Sequence, residues 1–156
     1  MTTFLDTNIV IALLDNKHLH HAWSVAELEK IDRRPAIVSD IVYCEVSVGM
    51  PDQASLDAAI ARLGLERIPA KDEALFRAGE AFKRYRTVNK GTKTGVLPDF
   101  LIGAIAEIEE TPLMTTNEKD FTGYFSKLEL ISPPKTVTVA AAFTAPGFGV
   151  SGSGET

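Results

Sequence analysis

The chain has 156 residues, a length that suits one domain, and its 45% hydrophobic and 24% charged residues exclude wholesale disorder and a collagen-like fibre. Acidic side chains outnumber basic ones by 21 to 16, so the formal charge is −5 and the surface as a whole does not attract nucleic acid as a basic protein's does. A polyanionic partner therefore requires a local basic segment or a bound cation.

Short apolar segments of strand length alternate with segments in which apolar residues recur every three or four positions. The predicted strands are 4–5, 36–38, 66–68, 113–115 and 128–131. The predicted helices lie near 8–15, 21–32, 40–49, 53–64, 71–86 and 99–110. This alternation predicts a three-layer α/β/α domain with a mostly parallel central sheet.

The domain is predicted to occupy residues 1–134. Residues 135–156 have no charge between Lys135 and Glu155 and end in Ser-Gly-Ser-Gly-Glu-Thr, which predicts a flexible C-terminal tail. The single cysteine, Cys44, excludes an internal disulfide and is interpreted as a small buried hydrophobe in a reducing compartment. No signal peptide or membrane anchor is predicted, so we expect a cytoplasmic protein.

Two aspartates lie just beyond the ends of predicted strands. Asp6 directly follows the first strand, and Asp120 follows the fourth strand after the polar run 116–119. Because open α/β sheets build their sites at the carboxyl ends of parallel strands, both are candidate site residues. Each has a simpler alternative, since Asp6 also suits the cap of the first helix and Thr116 or Asn117 suits the cap of the later turn.

Two further acids lie in predicted helices. Glu45 has Ile41 and Val48 at the i−4 and i+3 positions, which predicts that its carboxylate faces inward. A buried glutamate requires a salt bridge or a metal ion, unless the inward face is wrongly assigned. Asp99 opens the most apolar helix, in line with Ile102, although an acid in a first turn also stabilises the helix dipole.

Helix capping alone does not explain why four acids from distant segments all lie at strand ends or on inward helix positions. We hypothesise that the four carboxylates converge on one site. Clustered carboxylates repel one another and raise each other's pKa values, unless a hard divalent cation compensates their charge. Mg²⁺ or Mn²⁺ would do so, and such ions polarise phosphoryl oxygens and screen a polyanionic substrate. An acidic site of this kind can cleave an acidic polymer.

The segment 83–98 is basic, with five cations and no acid among glycines and small polar residues. Its candidate contacts to a phosphate backbone are Arg86, Lys90 and Lys93. The alternative is a solvated helix end whose cations favour the C-terminal dipole. Tyr85 is the only aromatic residue of the basic stretch 83–93, which is too little for a base-stacking platform.

Four short motifs contain these acids. They are Phe4-Leu-Asp-Thr-Asn8, Val42-Tyr-Cys-Glu45, Pro98-Asp-Phe-Leu-Ile-Gly-Ala104 and Thr115-Thr-Asn-Glu-Lys-Asp-Phe121. In order and spacing they resemble the PIN-domain ribonucleases and, within that family, the VapC-like toxins of type II toxin–antitoxin pairs. The resemblance spans residues 2 to about 133 and includes the ending 128–133, which is similar to the family's last strand.

The resemblance implies a role for each acid. Asp6, Glu45 and Asp99 would form an acidic triad around Mg²⁺ or Mn²⁺, with Asp6 and Asp99 as the most direct ligands. Asn117 stands where other members have an acid, which leaves Asp120 as the candidate fourth carboxylate. The side chains expected to orient ligands or water through hydrogen bonds are Asn8, Thr115, Thr116 and Asn117.

The implied activity is metal-dependent endonucleolytic hydrolysis of RNA phosphodiester bonds that leaves a 5′-phosphate. The implied partners are a second copy of the chain and a small antitoxin that can place a basic side chain among the acids. Two other functions stay open: a PIN-type module that binds RNA or protein without turnover, and a Mg²⁺-dependent phosphatase. The phosphatase is disfavoured because such enzymes have a second aspartate two residues after the first, where this chain has Asn8.

Overall fold

The computed structural model describes residues 2–31, 35–93 and 95–135. Within these ranges, five parallel strands form one sheet and six helices cover it in a three-layer α/β/α arrangement, so the predicted fold class is confirmed. The predicted tail from residue 136 onward lies outside the described residues. None of the helices in the described ranges is long and apolar enough to cross a membrane.

The element bounds agree with the sequence prediction to within a few residues. The strands are β1 (Phe4–Leu5), β2 (Ala36–Ser39), β3 (Leu65–Ile68), β4 (Leu113–Met114) and β5 (Leu130–Ile131). The helices are α1 (Thr7–Leu14), α2 (His21–Lys30), α3 (Asp40–Ser47), α4 (Gln53–Arg62), α5 (Asp72–Thr87) and α6 (Leu97–Ile108). A single 3-10 turn, Glu118–Asp120, follows β4.

The strand order is β3-β2-β1-β4-β5, with every neighbouring pair parallel. The chain runs from β1 outward to β3 on one side and then returns to place β4 on the other side of β1. Phe4 is therefore paired with Ile37 of β2 and with Leu113 of β4. The direction of winding reverses beside β1, and this topological switch point is where open α/β sheets leave a crevice at the carboxyl ends of their strands.

Apolar burial explains why α6 lies against the sheet. One face of α6 is fully buried, including Ile102, Gly103 and Ala106. At Gly103 an added Cβ would lie only 2.6 Å from the Phe125 ring and 2.9 Å from Phe121, so only glycine allows this approach without a shift. The most apolar helix is thus fixed in position, together with the aspartate in its first turn.

Helix α6 begins two residues before the predicted position because Pro98 lies inside the first turn, where its missing N–H costs no hydrogen bond. Ser39 is the cap of α3, accepting a hydrogen bond from the Val42 N–H at 3.3 Å, and Asp52 caps α4 by accepting from the Ser55 N–H. The last strand is shorter than predicted, since only Leu130–Ile131 pairs with β4.

The predicted inward face of α3 is only partly correct, because Ile41 packs against the core but Val48 does not. The buried residues of α3 are Val42 and Val46, whereas Val48 is 88% exposed at the helix end. Cys44 is also exposed, so the interpretation of this thiol as a buried hydrophobe is wrong. Glu45 lies beside the buried stripe and is half-buried. The stripe was assigned one residue away from its true position because α3 is short and both faces contain apolar side chains.

Candidate active site

Asp6 lies at the switch point, immediately after β1, and is buried. Three donors hold its carboxylate: the Thr115 hydroxyl donates to Oδ2 at 2.6 Å, the Asn8 amide to Oδ2 at 3.0 Å, and the Thr7 N–H to Oδ1 at 2.7 Å. Asp6 is therefore also the cap of α1, as the simpler alternative stated. These three bonds use three of the roughly four lone-pair sites of a carboxylate and leave one site, on Oδ1, for a ligand.

The pKa of Asp6 reflects opposing influences. Burial raises the pKa above its usual value, and the nearby charge of Glu45 raises it further. The hydrogen bonds from Thr115, Thr7 and Asn8 stabilise the charged form and lower the pKa, but burial outweighs them. A cation in the crevice would reverse the balance.

Hydrogen bonds join the ends of β1 and β4. The Thr115 hydroxyl, which donates to Asp6, accepts a bond from the Asn117 N–H at 3.0 Å. The side-chain oxygen of Asn8, Oδ1, accepts a hydrogen bond from the Thr116 N–H at 3.2 Å. Thr116 thus acts through its backbone, while Asn8, Thr115 and Asn117 use side chains. The network fixes the loop after β4 relative to Asp6.

Glu45 reaches the same end of the sheet from α3, which begins directly after β2. Its Oε1 accepts a hydrogen bond from the Thr7 hydroxyl at 2.7 Å. The sequence analysis did not single out Thr7, although its position between Asp6 and Asn8 was a signal that it belongs to the site. The Asp-Thr-Asn sequence therefore supplies one carboxylate and two side chains that hold carboxylates.

Asp99 is half-buried in the first turn of α6. Its pKa is raised to about 7, first by burial and then by the charges of Asp120, Asp6 and Glu45. Charge at a helix N-terminus stabilises a carboxylate by only about 0.3–1 kcal/mol, so the dipole does not offset these influences. The four predicted acids are therefore close enough for three of them to raise the pKa of the fourth.

Asp120 ends the 3-10 turn after β4 and accepts a hydrogen bond from the Asn117 side-chain amide. Asn117 therefore does not replace the fourth acid in this structure but contacts it. Lys119, which precedes Asp120, was not identified from the sequence as part of the site. It lies between two clefts beside the carboxylates, one lined also by Asp99 and Asp120, the other by Thr116 and Asn117.

The donor set fits a hard divalent cation, because all four side chains offer carboxylate oxygens. As they stand, however, no three acids, histidines or cysteines among the described residues are arranged around a common point that could hold a metal ion. Mutual repulsion explains this spacing, since Glu45 turns to Thr7 and Asp120 turns to Asn117. Binding of a cation would thus require rotations that bring the carboxylates together.

The predicted phosphate contacts lie at the end of α5 and in the loop after it. Lys90 and Lys93 are exposed, and the backbone N–H of Lys93 donates to the Tyr85 hydroxyl at 3.1 Å. The Arg86 guanidinium lies 5.8 Å from the centre of the Phe82 ring. Tyr85 also lines the cleft beside Asp99, so the basic loop is attached to the wall of the candidate site.

A larger cleft of about 660 Å³ lies elsewhere, beside Pro112 at the amino end of β4. It is lined by the Arg77–Glu107 ion pair, whose atoms are 2.9 Å apart and which joins α5 to α6. None of the four carboxylates lines this cleft. The candidate active site is therefore assigned to the smaller clefts at the carboxyl ends of the strands.

The protein thus belongs to the class of parallel α/β domains that group several carboxylates at the switch point of the sheet. The PIN domain family model matches residues 3–124, and the chain belongs to this family. The expected membership is thereby confirmed. No curated protein matches the chain significantly.

Solved structures show the same fold in VapC-like toxins. VapBC2 from Rickettsia felis, bound to a DNA fragment from its promoter, has a TM-score of 0.63 and 21% identity over 85% of this chain and 98% of that one. A toxin–antitoxin complex from Klebsiella pneumoniae has a TM-score of 0.62 and 25% identity over the same shares. The Mycobacterium tuberculosis VapC20, a Sarcin-Ricin loop cleaving toxin, has a TM-score of 0.58 and 13% identity over 82% of this chain and 99% of that one.

Proposed function

We propose that this protein is a metal-dependent endoribonuclease and the toxin of a VapBC-like toxin–antitoxin pair. The observation that carries the proposal is the grouping of Asp6, Glu45 and Asp120 around Asp99, whose charges add to the effect of burial in raising the pKa of Asp99 to about 7. Such a grouping is unfavourable in a protein without a compensating cation. PIN-domain nucleases generally use a divalent metal ion, which supports the same conclusion.

Asp6 and Asp99 are the proposed direct ligands of Mg²⁺ or Mn²⁺, with Glu45 and Asp120 completing the site. The ion would compensate the carboxylate charge, polarise a phosphoryl oxygen and favour deprotonation of the attacking water. The product would have a 5′-phosphate. Neighbouring side chains hold the ligands in place, and this positioning is their proposed contribution to catalysis.

The proposed orienting residues act on different acids. Thr115 and Asn8 donate to the same oxygen of Asp6, Oδ2, and so hold its carboxylate in one orientation. Thr7 holds Glu45, and Asn117 holds Asp120. Thr116 contributes through its backbone N–H to Asn8. Loss of any of these donors would increase the mobility of a ligand without removing it.

RNA is the proposed substrate because a cation among carboxylates screens a polyanion, and a basic loop lies beside the site. Lys90, Lys93 and Arg86 are proposed to contact the phosphate backbone. Neutralising Lys90 and Lys93 would then weaken RNA binding and reduce its salt dependence. The VapC20 of M. tuberculosis, described as cleaving the Sarcin-Ricin loop, supports an RNA substrate by its similar fold.

A small antitoxin is the proposed protein partner, since the R. felis and K. pneumoniae relatives are toxin–antitoxin complexes. A basic side chain of the antitoxin would compensate the carboxylates in place of the metal ion. We further propose a homodimer, as the family resemblance implies, and a cytoplasmic location, which the single cysteine suits.

A second candidate is a module that binds RNA without turnover. It is favoured by one observation, namely that the carboxylates of the described residues do not form a metal cage as they stand. The two candidates differ in whether a divalent ion assembles the site and RNA is cut.

The test uses antitoxin-free protein and a pool of structured cellular RNAs, incubated with Mg²⁺, with Mn²⁺ and with EDTA. We expect cuts at discrete positions only with a divalent ion, and none with Asp6→Asn. Glu80→Gln, which changes an exposed acid of α5, is the control and should cut as the unmodified protein does. Metal-dependent binding without cuts would favour the second candidate, and neither binding nor cuts would contradict both.

A further inference from the structure

The cleft beside Asp99 has aromatic walls. Its volume is about 130 Å³, and Asp99, Asp120 and Lys119 lie at its polar side. Sites that enclose a whole small ligand measure roughly 300–1,000 Å³, so this cleft takes one flat group of a larger molecule. Because two of its lining residues belong to the carboxylate group, a substrate bound there reaches the proposed cleavage site directly.

Tyr85, Phe100 and Tyr124 form the apolar side of this cleft. The centres of the Phe100 and Tyr124 rings are 4.8 Å apart, and those of Tyr85 and Phe100 are 5.7 Å apart. The sequence prediction that aromatic residues are too few for base stacking considered only Tyr85. Folding adds Phe100 and Tyr124 from distant segments, so that prediction does not describe the assembled site.

The basic loop fixes the two tyrosines. The Tyr124 hydroxyl accepts a hydrogen bond from the Asn89 side-chain amide at 2.5 Å, and the Tyr85 hydroxyl accepts from the Lys93 N–H at 3.1 Å. A Cβ at Gly91 would lie 2.0 Å from the Tyr85 ring, so the glycine backbone packs directly on it. These contacts hold both tyrosine rings in place along the cleft.

Lys119 supplies a cation that lines both this cleft and the neighbouring groove of about 430 Å³, which Lys135 also lines. A ligand that matches both sides of the cleft is a flat ring attached to a phosphate. In RNA this is one nucleotide whose base is unpaired, since a paired base stays in its stack until it is turned out.

We infer that this cleft is a nucleobase subsite, in which one unpaired base next to the cleaved phosphate packs on Tyr124 while Lys119 contacts its phosphate. This inference rests on the proposed ribonuclease function and specifies its substrate as RNA that is unpaired at the cut. Tyr85 is a positioning residue, held by Gly91 and Lys93 so that the wall of the subsite keeps its shape.

The first test compares probes with and without a base. Binding of uridine and adenosine 5′-monophosphates is measured against ribose 5-phosphate in Mg²⁺, which needs no RNA cleavage. Stacking on an aromatic side chain is worth enough to change affinity by about five-fold or more, so we expect the nucleotides to bind tighter by at least that factor. Equal binding of all three probes would overturn the inference even if RNA is cut.

The second test removes the ring. In Tyr124→Leu the nucleotide preference should disappear, whereas Tyr43→Leu, which changes a half-buried tyrosine outside the cleft, should retain it. Gly91→Ala should reduce the preference by displacing Tyr85, while Gly95→Ala has open space around its Cβ and should not. Retention of the preference in Tyr124→Leu would overturn the assignment.

The third test uses a cleaved RNA with an abasic residue beside the cut. The missing base should lower kcat/KM by about five-fold or more in the unmodified protein and have no such effect in Tyr124→Leu. The same penalty in both proteins would exclude the subsite while leaving the ribonuclease intact. Failure of the ribonuclease itself would instead appear as no metal-dependent cleavage, with the mononucleotide comparison still deciding the inference.

Discussion

Asp99 is the residue whose environment says most about the site. In metal-free protein its pKa is raised from 3.8 to about 7, so between these values the folded state binds more protons than the unfolded state. Stability contributed by this group is therefore present at low pH and is lost as pH rises through that window. A bound divalent ion would lower the pKa and remove the loss.

The Asp99→Asn variant should show this directly. In EDTA the variant should gain thermal stability relative to the unmodified protein as pH rises from about 5 to about 8, because asparagine stays neutral throughout. Thermal midpoints at both pH values measure the gain. Asp72→Asn, which changes an exposed aspartate in the first turn of α5, is the matched control and should show no such trend. A gain that is the same at both pH values would contradict the predicted pKa.

Thr115 tests the hydrogen bonds around Asp6. Its fully buried hydroxyl donates to Asp6 and accepts from the Asn117 N–H, so Thr115→Val leaves both groups without this partner. We expect a loss of about 1–3 kcal/mol in the free energy of unfolding, measured with denaturant, and weaker Mg²⁺ stabilisation. Thr115→Ser keeps the hydroxyl and should recover most of both. If serine and valine behave alike, the hydroxyl does not hold the site.

Among single residues, the sequence predicted the acids of the site better than the residues that contact them. Asp6 and Asp99 were identified by their positions after a strand and at a helix start, which depend on local pattern. Thr7, Lys119 and Tyr124 were missed because their roles depend on contacts between distant segments. Glu45 was identified from a stripe of which Ile41 packs against the core and Val48 does not.

Among the elements, α6 determines where Asp99 lies. Its glycine at position 103 packs on two buried phenylalanine rings, so Gly103→Ala requires those rings to move. We expect this substitution to reduce the free energy of unfolding by about 1–3 kcal/mol. A thermal or denaturant unfolding curve measures it, and an unchanged curve would contradict the packing described here.

Gly79 in α5 is the matched control for Gly103. A Cβ at Gly79 meets nothing within 4 Å. Alanine there should stabilise the protein by roughly 0.5–1 kcal/mol, because it has the higher helix propensity. The two substitutions should change the free energy of unfolding in opposite directions, which distinguishes the effect of helix propensity from that of close packing.

Local patterns sufficed for the elements because the helices have clear apolar periods and side-chain caps, such as Ser39 and Asp52. They failed at the short α3, where both faces contain apolar residues. The loop after α5 also could not be placed from sequence, since its position depends on hydrogen bonds to Tyr85 and Tyr124.

For the whole molecule, alternation of strands and helices predicted a parallel sheet, and its order follows from the crossovers about β1. The order brings the ends of β1 and β4 together, which explains how acids far apart in sequence share one crevice. We still propose that residues 1–134 form the domain. The family match ends at residue 124, and β5 completes the described sheet.

Removal of residues 136–156 tests this domain boundary. If residues 1–134 form the whole folding unit, the shortened chain should have the same thermal midpoint and the same metal-dependent cleavage as the full chain. Calorimetry and the RNA assay measure these properties. A large fall in the midpoint would show that the C-terminal residues belong to the domain.

We propose that the four grouped carboxylates form one metal-dependent centre for RNA cleavage. The most direct measurement is the initial rate of RNA cleavage as a function of Mg²⁺ concentration, in the unmodified protein, in Asp99→Asn and in Asp72→Asn. We predict a saturating rise in rate for the first and third proteins and no cleavage by Asp99→Asn at any concentration. Cleavage that persists in EDTA, or that Asp99→Asn retains in full, would contradict the claim.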